Sequence, residues 1–193
     1  MKPIDPDGFE AKFRANEDPW NYRWSRFEMH KRQVLVRACG SRLFGRGLEL
    51  ACANGETTRA LAARCLNLLA VDAAPTAVAA ARRRTADLAH VEIRQARLPQ
   101  EIAPGPFDLV VMSEIAYYLS RRDLARLLDM LDRRLAPGGR LVALHHVRPF
   151  DDAAQPPAIA HHAILLAFGR RMIPCGAWAG RDYRCVAFEK PRS

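Results

Sequence analysis

Residues Gly47–Thr58 read "GLELACANGETT". An apolar run with strand character gives way to small residues and a glycine. Glu56-Thr57-Thr58 then opens a helix. Such a turn brings the backbone close to any ligand at the carboxyl end of a strand. Two positions where nucleotide-binding turns carry glycine hold Ala51 and Ala53, each adding a methyl group. Gly55 keeps the position with the greatest need for positive φ. By itself the turn fits an ordinary strand–helix junction as well as a ligand loop.

The flanking sequence repeats the same alternation. "NLLAVDA" and "VEIRQA" read as strands, with "PTAVAAARRRTA" between them as a helix carrying Pro75 in its first turn. "FDLVVMSEI" is a fourth strand, and "SRRDLARLLDMLDRRLA" an amphipathic helix stopped by "PGG" at 137–139. "RLVALHH" is the fifth strand. Continuous apolar strands separated by helices predict a mostly parallel sheet covered on both faces. "AIAHHAILLAFGR" reads as a further helix, and "MIPCGAWAG" and "YRCVAFEK" as a hairpin closing the sheet. Upstream, residues 1–24 are polar with interleaved aromatics. A helix from about Ser25 to Cys39 has Ser25 as its N-cap. The expectation is one α/β domain over 1–193: an N-terminal lid and helix (1–39), a cofactor-binding core (40–146), and a C-terminal helix and hairpin (147–193).

Ligands of open α/β sheets bind beyond the carboxyl ends of the strands. Asp72 ends the second strand, 17 residues past Gly55. A carboxylate there accepts hydrogen bonds from two ribose hydroxyls, so turn and aspartate together predict a nucleoside site. The second and third glycines that a pyrophosphate needs are missing. The terminal hairpin also differs from a dinucleotide fold. Both features favour an adenosyl cofactor without phosphate.

Composition narrows the remaining classes. Hydrophobic residues make up 49%, which disfavours disorder. The N-terminus lacks a signal-peptide core, and no apolar run has the length of a membrane span, so the expected location is the cytoplasm. The five cysteines have no metal or disulfide spacing, and the paired histidines point to opposite strand faces, so no metal is expected. The net charge of +9 invites a nucleic-acid reading. The basic residues are nearly all arginines spread over helix faces, without a basic stripe interleaved with aromatics, so nucleic acid is disfavoured.

"LELACANGETT", the acidic end of "LLAVDAA", "FDLVVMSEIAYYL" and "LAPGGRLV" stand in the order and spacing of the class I S-adenosylmethionine-dependent methyltransferases, which this chain resembles over roughly residues 40–146. "DPWNYRWSRFEMHKR" followed by "SEIAYYL" resembles more narrowly the nodulation protein S type of N-methyltransferase, which acts on the free amine of an amino-sugar oligosaccharide. The resemblance implies a Rossmann-like fold with a seven-stranded sheet. It implies S-adenosyl-L-methionine as cofactor, S-adenosyl-L-homocysteine as its product, and a small-molecule acceptor such as an amino sugar or specialised metabolite. It further implies that Glu49 holds the cofactor's amino group, that Ala51, Ala53 and Gly55 cradle its methionine part, and that Asp72 binds the ribose. Ser113 and Glu114 would flank the reactive methyl, with Trp20, Phe27 and Glu28 on the covering segment. Where the family often has an aspartate for the adenine amine, this chain has Arg97, which can stack on a base but cannot accept that bond. Backbone groups near Ala96 and Leu98 are the alternative.

An amine acceptor must lose a proton to expose its lone pair. Glu114 is the first candidate to receive it, then His145 and His146, with Tyr117 and Tyr118 also at a strand end and His161 and His162 further along. "SEIAYY" is unlike the Asn/Asp-Pro-Pro-Tyr motif that grips a flipped base amine, which argues against nucleic-acid base methylation. The competing readings are a small-molecule O-methyltransferase and a non-catalytic adenosyl- or RNA-binding protein.

Overall fold

The computed structural model describes residues 4–192. Its strands are β1 (Phe44–Leu50), β2 (Cys65–Asp72), β3 (Val91–Gln95), β4 (Phe107–Ser113), β5 (Leu135–His146), β6 (Ile173–Ala179) and β7 (Tyr183–Glu189). Its helices are α1 (Pro6–Ala15), α2 (Arg26–Ala38), α3 (Glu56–Ala62), α4 (Pro75–Arg84), α5 (Arg121–Arg134) and α6 (Pro157–Phe168), with a 3-10 turn at Ala116–Tyr118. The strands make one sheet in the order β3-β2-β1-β4-β5-β7-β6. β1 to β5 pair in parallel, β7 lies antiparallel on β5, and β6 antiparallel on β7. The order reverses between β1 and β4, which opens a crevice at their carboxyl ends.

The unbroken apolar strands follow from burial on both sides. Val110 and Met112 of β4 pack with Leu124, Leu127, Leu131 and Ile164 from α5 and α6. Leu109 and Val111, pointing the other way, pack with Val34, Leu35 and Leu61 from α2 and α3.

Local signals set several boundaries. Ser25 caps α2 by accepting the Glu28 N–H at 3.4 Å, and Ser120 caps α5 by accepting that of Asp123 at 3.0 Å. Two features depart from the expectation. The "PGG" at 137–139 lies inside β5 as a bulge: Phe107 pairs with Leu135 but Leu109 with Arg140. The N-terminal lid also contains a helix of its own. Asp5 caps α1 by accepting the Gly8 N–H at 2.9 Å, and Pro6 occupies its first turn. α1 has too few apolar positions to declare itself; tertiary anchors hold it. Glu10 accepts from the Thr76 N–H at 2.9 Å and its hydroxyl at 2.7 Å, and Lys12 pairs with Asp152 at 2.5 Å. Glu10 thereby caps α4, whose own N-cap, Ala74, offers no side chain.

Candidate active site

The "ACANG" turn sits at the reversal point, and its backbone is left-handed at three places: Ala51 (φ 55°), Ala53 (φ 48°) and Gly55 (φ 82°). The expected positive φ at Gly55 is present. A Cβ there would stand 2.9 Å from the Ala81 Cα of α4, so glycine also permits helix packing. The two alanines adopt a conformation that L-residues reach at a cost of about 1–2 kcal/mol each. Such strain concentrates at functional sites.

Asp72 supports this turn from the neighbouring strand. Its two carboxylate oxygens accept the N–H groups of Ala53 (2.9 Å) and Ala74 (3.0 Å). Burial raises its pKa against those two bonds. Glu49 is also buried, and among the described residues its Oε2 and the Asn54 Oδ1 in the turn have no partner. Burial pushes the Glu49 carboxyl up to about 8. Unsatisfied acceptors and a carboxylate with lone pairs to spare are what an adenosyl amino acid with hydroxyl and ammonium donors would complete. The residues present fit that cofactor.

A cavity of ≈ 970 Å³ runs from this turn across the ends of β4 and β5. It brings together Trp20, Phe27, Ala51, Ala53, Asp72, Ala96, Arg97, Leu98, Ser113, Glu114, Tyr118 and His146. Glu49 lies in an adjoining space of ≈ 40 Å³ that shares Ala51, Ala53, Ser113 and Glu114 with the main cleft. Gly55 stands behind the turn. Among the described residues, seven carboxylates line the cleft against three cations, Lys12, Lys31 and Arg97. In a chain of net charge +9, the cleft alone is formally −4.

His145 does not belong to this group. Its ring is fully buried 5.7 Å from that of His161, its Nε2 accepts the Ala116 N–H at 3.3 Å, and its Nδ1 has no partner among the described residues. Burial pulls its pKa down to about 3, so it stays neutral. Successive side chains of a strand alternate between faces, and His146 takes the cleft side. His161 is buried and His162 is exposed, both on α6. Tyr118 lines the cleft with its ring packed against Phe9 at 4.8 Å and Phe150 at 5.8 Å, and burial raises its pKa.

Glu114 is held on every side, with left-handed backbone (φ 55°). Oε1 accepts from Lys31 Nζ at 2.5 Å, while Oε2 accepts from the Tyr117 hydroxyl and from the His146 N–H at 2.9 Å. Burial opposes its ionisation, but the Lys31 ammonium and the His146 N–H prevail and hold it below the usual carboxylate range. That depresses its basicity, contrary to its expected place as first proton acceptor. Arg97 is also committed: its guanidinium meets Asp7 at 3.2 Å, and its N–H donates to Glu101 at 2.6 Å. This ties α1 to the loop after β3.

Lys31 escaped the sequence reading, although a signal existed. The chain has four lysines among 26 arginines, and this one follows Glu28 at helical i, i+3 spacing. Its burial depends on β4 and could not be read locally.

Residues 48–141 match the family described as Methyltransferase domain. Nodulation protein S of Rhizobium tropici is 35% identical over 132 residues, covering 66% of this chain and 55% of that protein. The chain thus spans little more than half the length of this curated relative. The structure of N-methyltransferase NodS from Bradyrhizobium japonicum WM9, in complex with S-adenosyl-l-homocysteine, superposes with a TM-score of 0.83 at 25% identity, covering 97% of this chain and 100% of that one. A candidate methyltransferase from Pseudomonas syringae superposes with a TM-score of 0.73 at 34% identity, covering 86% of this chain and 100% of that one. Likeness of this extent, in fold over nearly the whole chain and in sequence across a full partner chain, makes the protein a member of the class I S-adenosylmethionine-dependent methyltransferase family.

Proposed function

We propose that this protein transfers a methyl group from S-adenosylmethionine to the amine of a small molecule, with an amino sugar as the leading acceptor. The observation that carries the amine is the acidic cleft in a basic protein. Seven carboxylates attract a cationic acceptor and repel phosphate or carboxylate groups, so nucleic acid is disfavoured as acceptor.

When bound, the cofactor supplies an electrophilic methyl on a sulfonium. Glu49 would take its ammonium, the 51–55 turn would face its methionine part, and Asp72 would receive ribose hydroxyls. Ala96 and Leu98 would flank the adenine through their backbone, with Arg97 at the rim. Trp20 and Phe27 would cover the site, and Ser113 would border the reacting end. Glu114, Tyr118, His146 and Phe150 would form the acceptor end. The chain then acts by holding the acceptor nitrogen in line and excluding water, and such positioning contributes roughly 7–11 kcal/mol. We assign the work to one domain over 1–193, with 1–39 as lid and helix, 40–146 as cofactor core, and 147–193 as closing helix and hairpin. The free cysteines, four buried and Cys175 exposed, suit the reducing cytoplasm. Among the described residues no helix is long and apolar enough to cross a membrane.

Calorimetry with S-adenosylmethionine and S-adenosylhomocysteine tests the cofactor. A labelled-methyl assay over amine, hydroxyl and RNA acceptors tests the rest. Label in hydroxyl or RNA acceptors but not in amines would replace this reading.

A further inference from the structure

Among the cleft carboxylates, Glu28 is nearly buried and has one oxygen committed. Its Oε1 lies 2.9 Å from Lys31 Nζ, with the side chain 15% exposed. Among the described residues no hydrogen-bond donor reaches its Oε2, and Glu28 lines the cleft. The other carboxylates near the strand ends already hold a donor on each oxygen: Glu114 from Lys31 and the His146 N–H, and Asp72 from the Ala53 and Ala74 N–H groups. Lys31, 7% exposed, bridges Glu28 and Glu114 with its ammonium 5.0 Å from the Phe27 ring centre.

We propose that Glu28 receives the proton of the acceptor's ammonium, and that Lys31 is the positioning residue that holds it to the task while Glu114 anchors Lys31. The inference rests on the amine reading above. The acceptor enters as R–NH3+ and passes one proton to the free Glu28 oxygen. The nitrogen lone pair forms the N–C bond to the sulfonium methyl, and the C–S pair returns to sulfur as a neutral thioether. The product leaves as R–NH2+–CH3, and Glu28 gives its proton to water. Four charged or titratable groups face Glu28: Lys31 and Arg32 from its own helix, Glu114 from the end of β4, and Tyr22 from the turn before α2. Burial lifts the Glu28 pKa, Lys31 and Arg32 oppose it, and Glu114 adds to it. The lifted value makes Glu28 a stronger proton acceptor than the depressed Glu114.

The test is methyl transfer from labelled S-adenosylmethionine to glucosamine and a panel of alkylamines, by wild type, Glu28→Gln, Glu28→Asp and Lys31→Met, across pH. We expect Glu28→Gln to lower kcat about 100-fold or more and to abolish the acid limb of kcat/KM. S-adenosylhomocysteine affinity and thermal unfolding are expected to stay near wild type. Glu28→Asp recovers part of kcat with the limb present. Lys31→Met moves the limb to higher pH, because Glu28 loses its cation. Turnover by Glu28→Gln within fivefold of wild type, or an equal loss in the Gln and Asp variants with the limb unmoved, overturns the inference alone. Wild type that binds S-adenosylmethionine but methylates no amine overturns the amine reading and this inference with it.

Discussion

Ala51 and Ala53 hold left-handed backbone where glycine would be unstrained. Relief of that strain, about 1–2 kcal/mol, is partly offset by the extra freedom glycine gives the unfolded chain, about 0.4–1 kcal/mol. Ala51→Gly and Ala53→Gly are therefore each expected to stabilise the protein by up to about 1.5 kcal/mol in urea unfolding. Gly55→Ala is the opposite case. It combines a left-handed φ with a Cβ 2.9 Å from the Ala81 Cα, and a loss of about 2 kcal/mol or more is expected. Glu49 gives a second test. Its folded pKa of about 8 lies above that of an exposed glutamate, so the folded state keeps a proton that the unfolded chain releases. Its contribution is present at low pH and is lost as pH rises to about 8. The buried His145, near 3, and His161, near 4, work in the opposite sense, with stability rising as pH climbs toward the ordinary histidine range. Above that range, of these three groups only Glu49 still titrates. Between pH 6.5 and 8 we expect wild-type stability to fall and that of Glu49→Gln to change less, as read by thermal unfolding. An equal slope in the two proteins would refute the assignment.

α1 shows how an element with a weak pattern becomes fixed. Phe9 and Phe13 are its apolar contacts, with Phe13 buried against Ala74 and Ala77. The remaining hold is polar. Glu10 caps α4, and the bond to the Thr76 N–H lowers its pKa. Replacing a cap residue by alanine costs typically about 1 kcal/mol. Glu10→Ala is expected to lose about that much, to loosen the lid, and to weaken S-adenosylhomocysteine binding severalfold in calorimetry. Unchanged affinity would show that α1 takes no part in covering the cofactor. The β5 bulge is a comparable case. "PGG" reads as a helix stop, and the helix does stop at Arg134; only the pairing of β4 with both Leu135 and Arg140 shows that the chain is already in a strand.

Over the whole protein, many of the arginines are paired locally. Among the described residues, ten of the 26 arginines pair with the chain's own carboxylates, from Arg14–Glu10 to Arg171–Asp132. Exposed pairs of this type add little stability, and they leave fewer cations for an anionic partner. The cleft field has the opposite sign, and exposed charges are screened over about 8 Å at physiological salt. The kcat/KM for a cationic amine is thus expected to fall as salt rises, while that for a neutral acceptor stays flat. A rise with salt would count against the acidic cleft as the source of selectivity.

The parallel sheet, the hairpin, the α2 cap and the switch-point turn were legible from residues 25–189, because each depends on neighbours in sequence: apolar period, Ser25 before a helix, small residues before Glu56. Asp72 was legible because its spacing from Gly55 is set by one helix and one strand. The cleft chemistry was not. Glu28, Lys31 and Glu114 are separated by up to 86 residues in the chain, and their protonation follows from burial and from which oxygens are already taken. His145 and His146 look alike in sequence, and only the twist and pairing of β5 place one in the core and the other in the cleft. Local pattern determines elements, whereas desolvation and competition for hydrogen bonds exist only once those elements have packed.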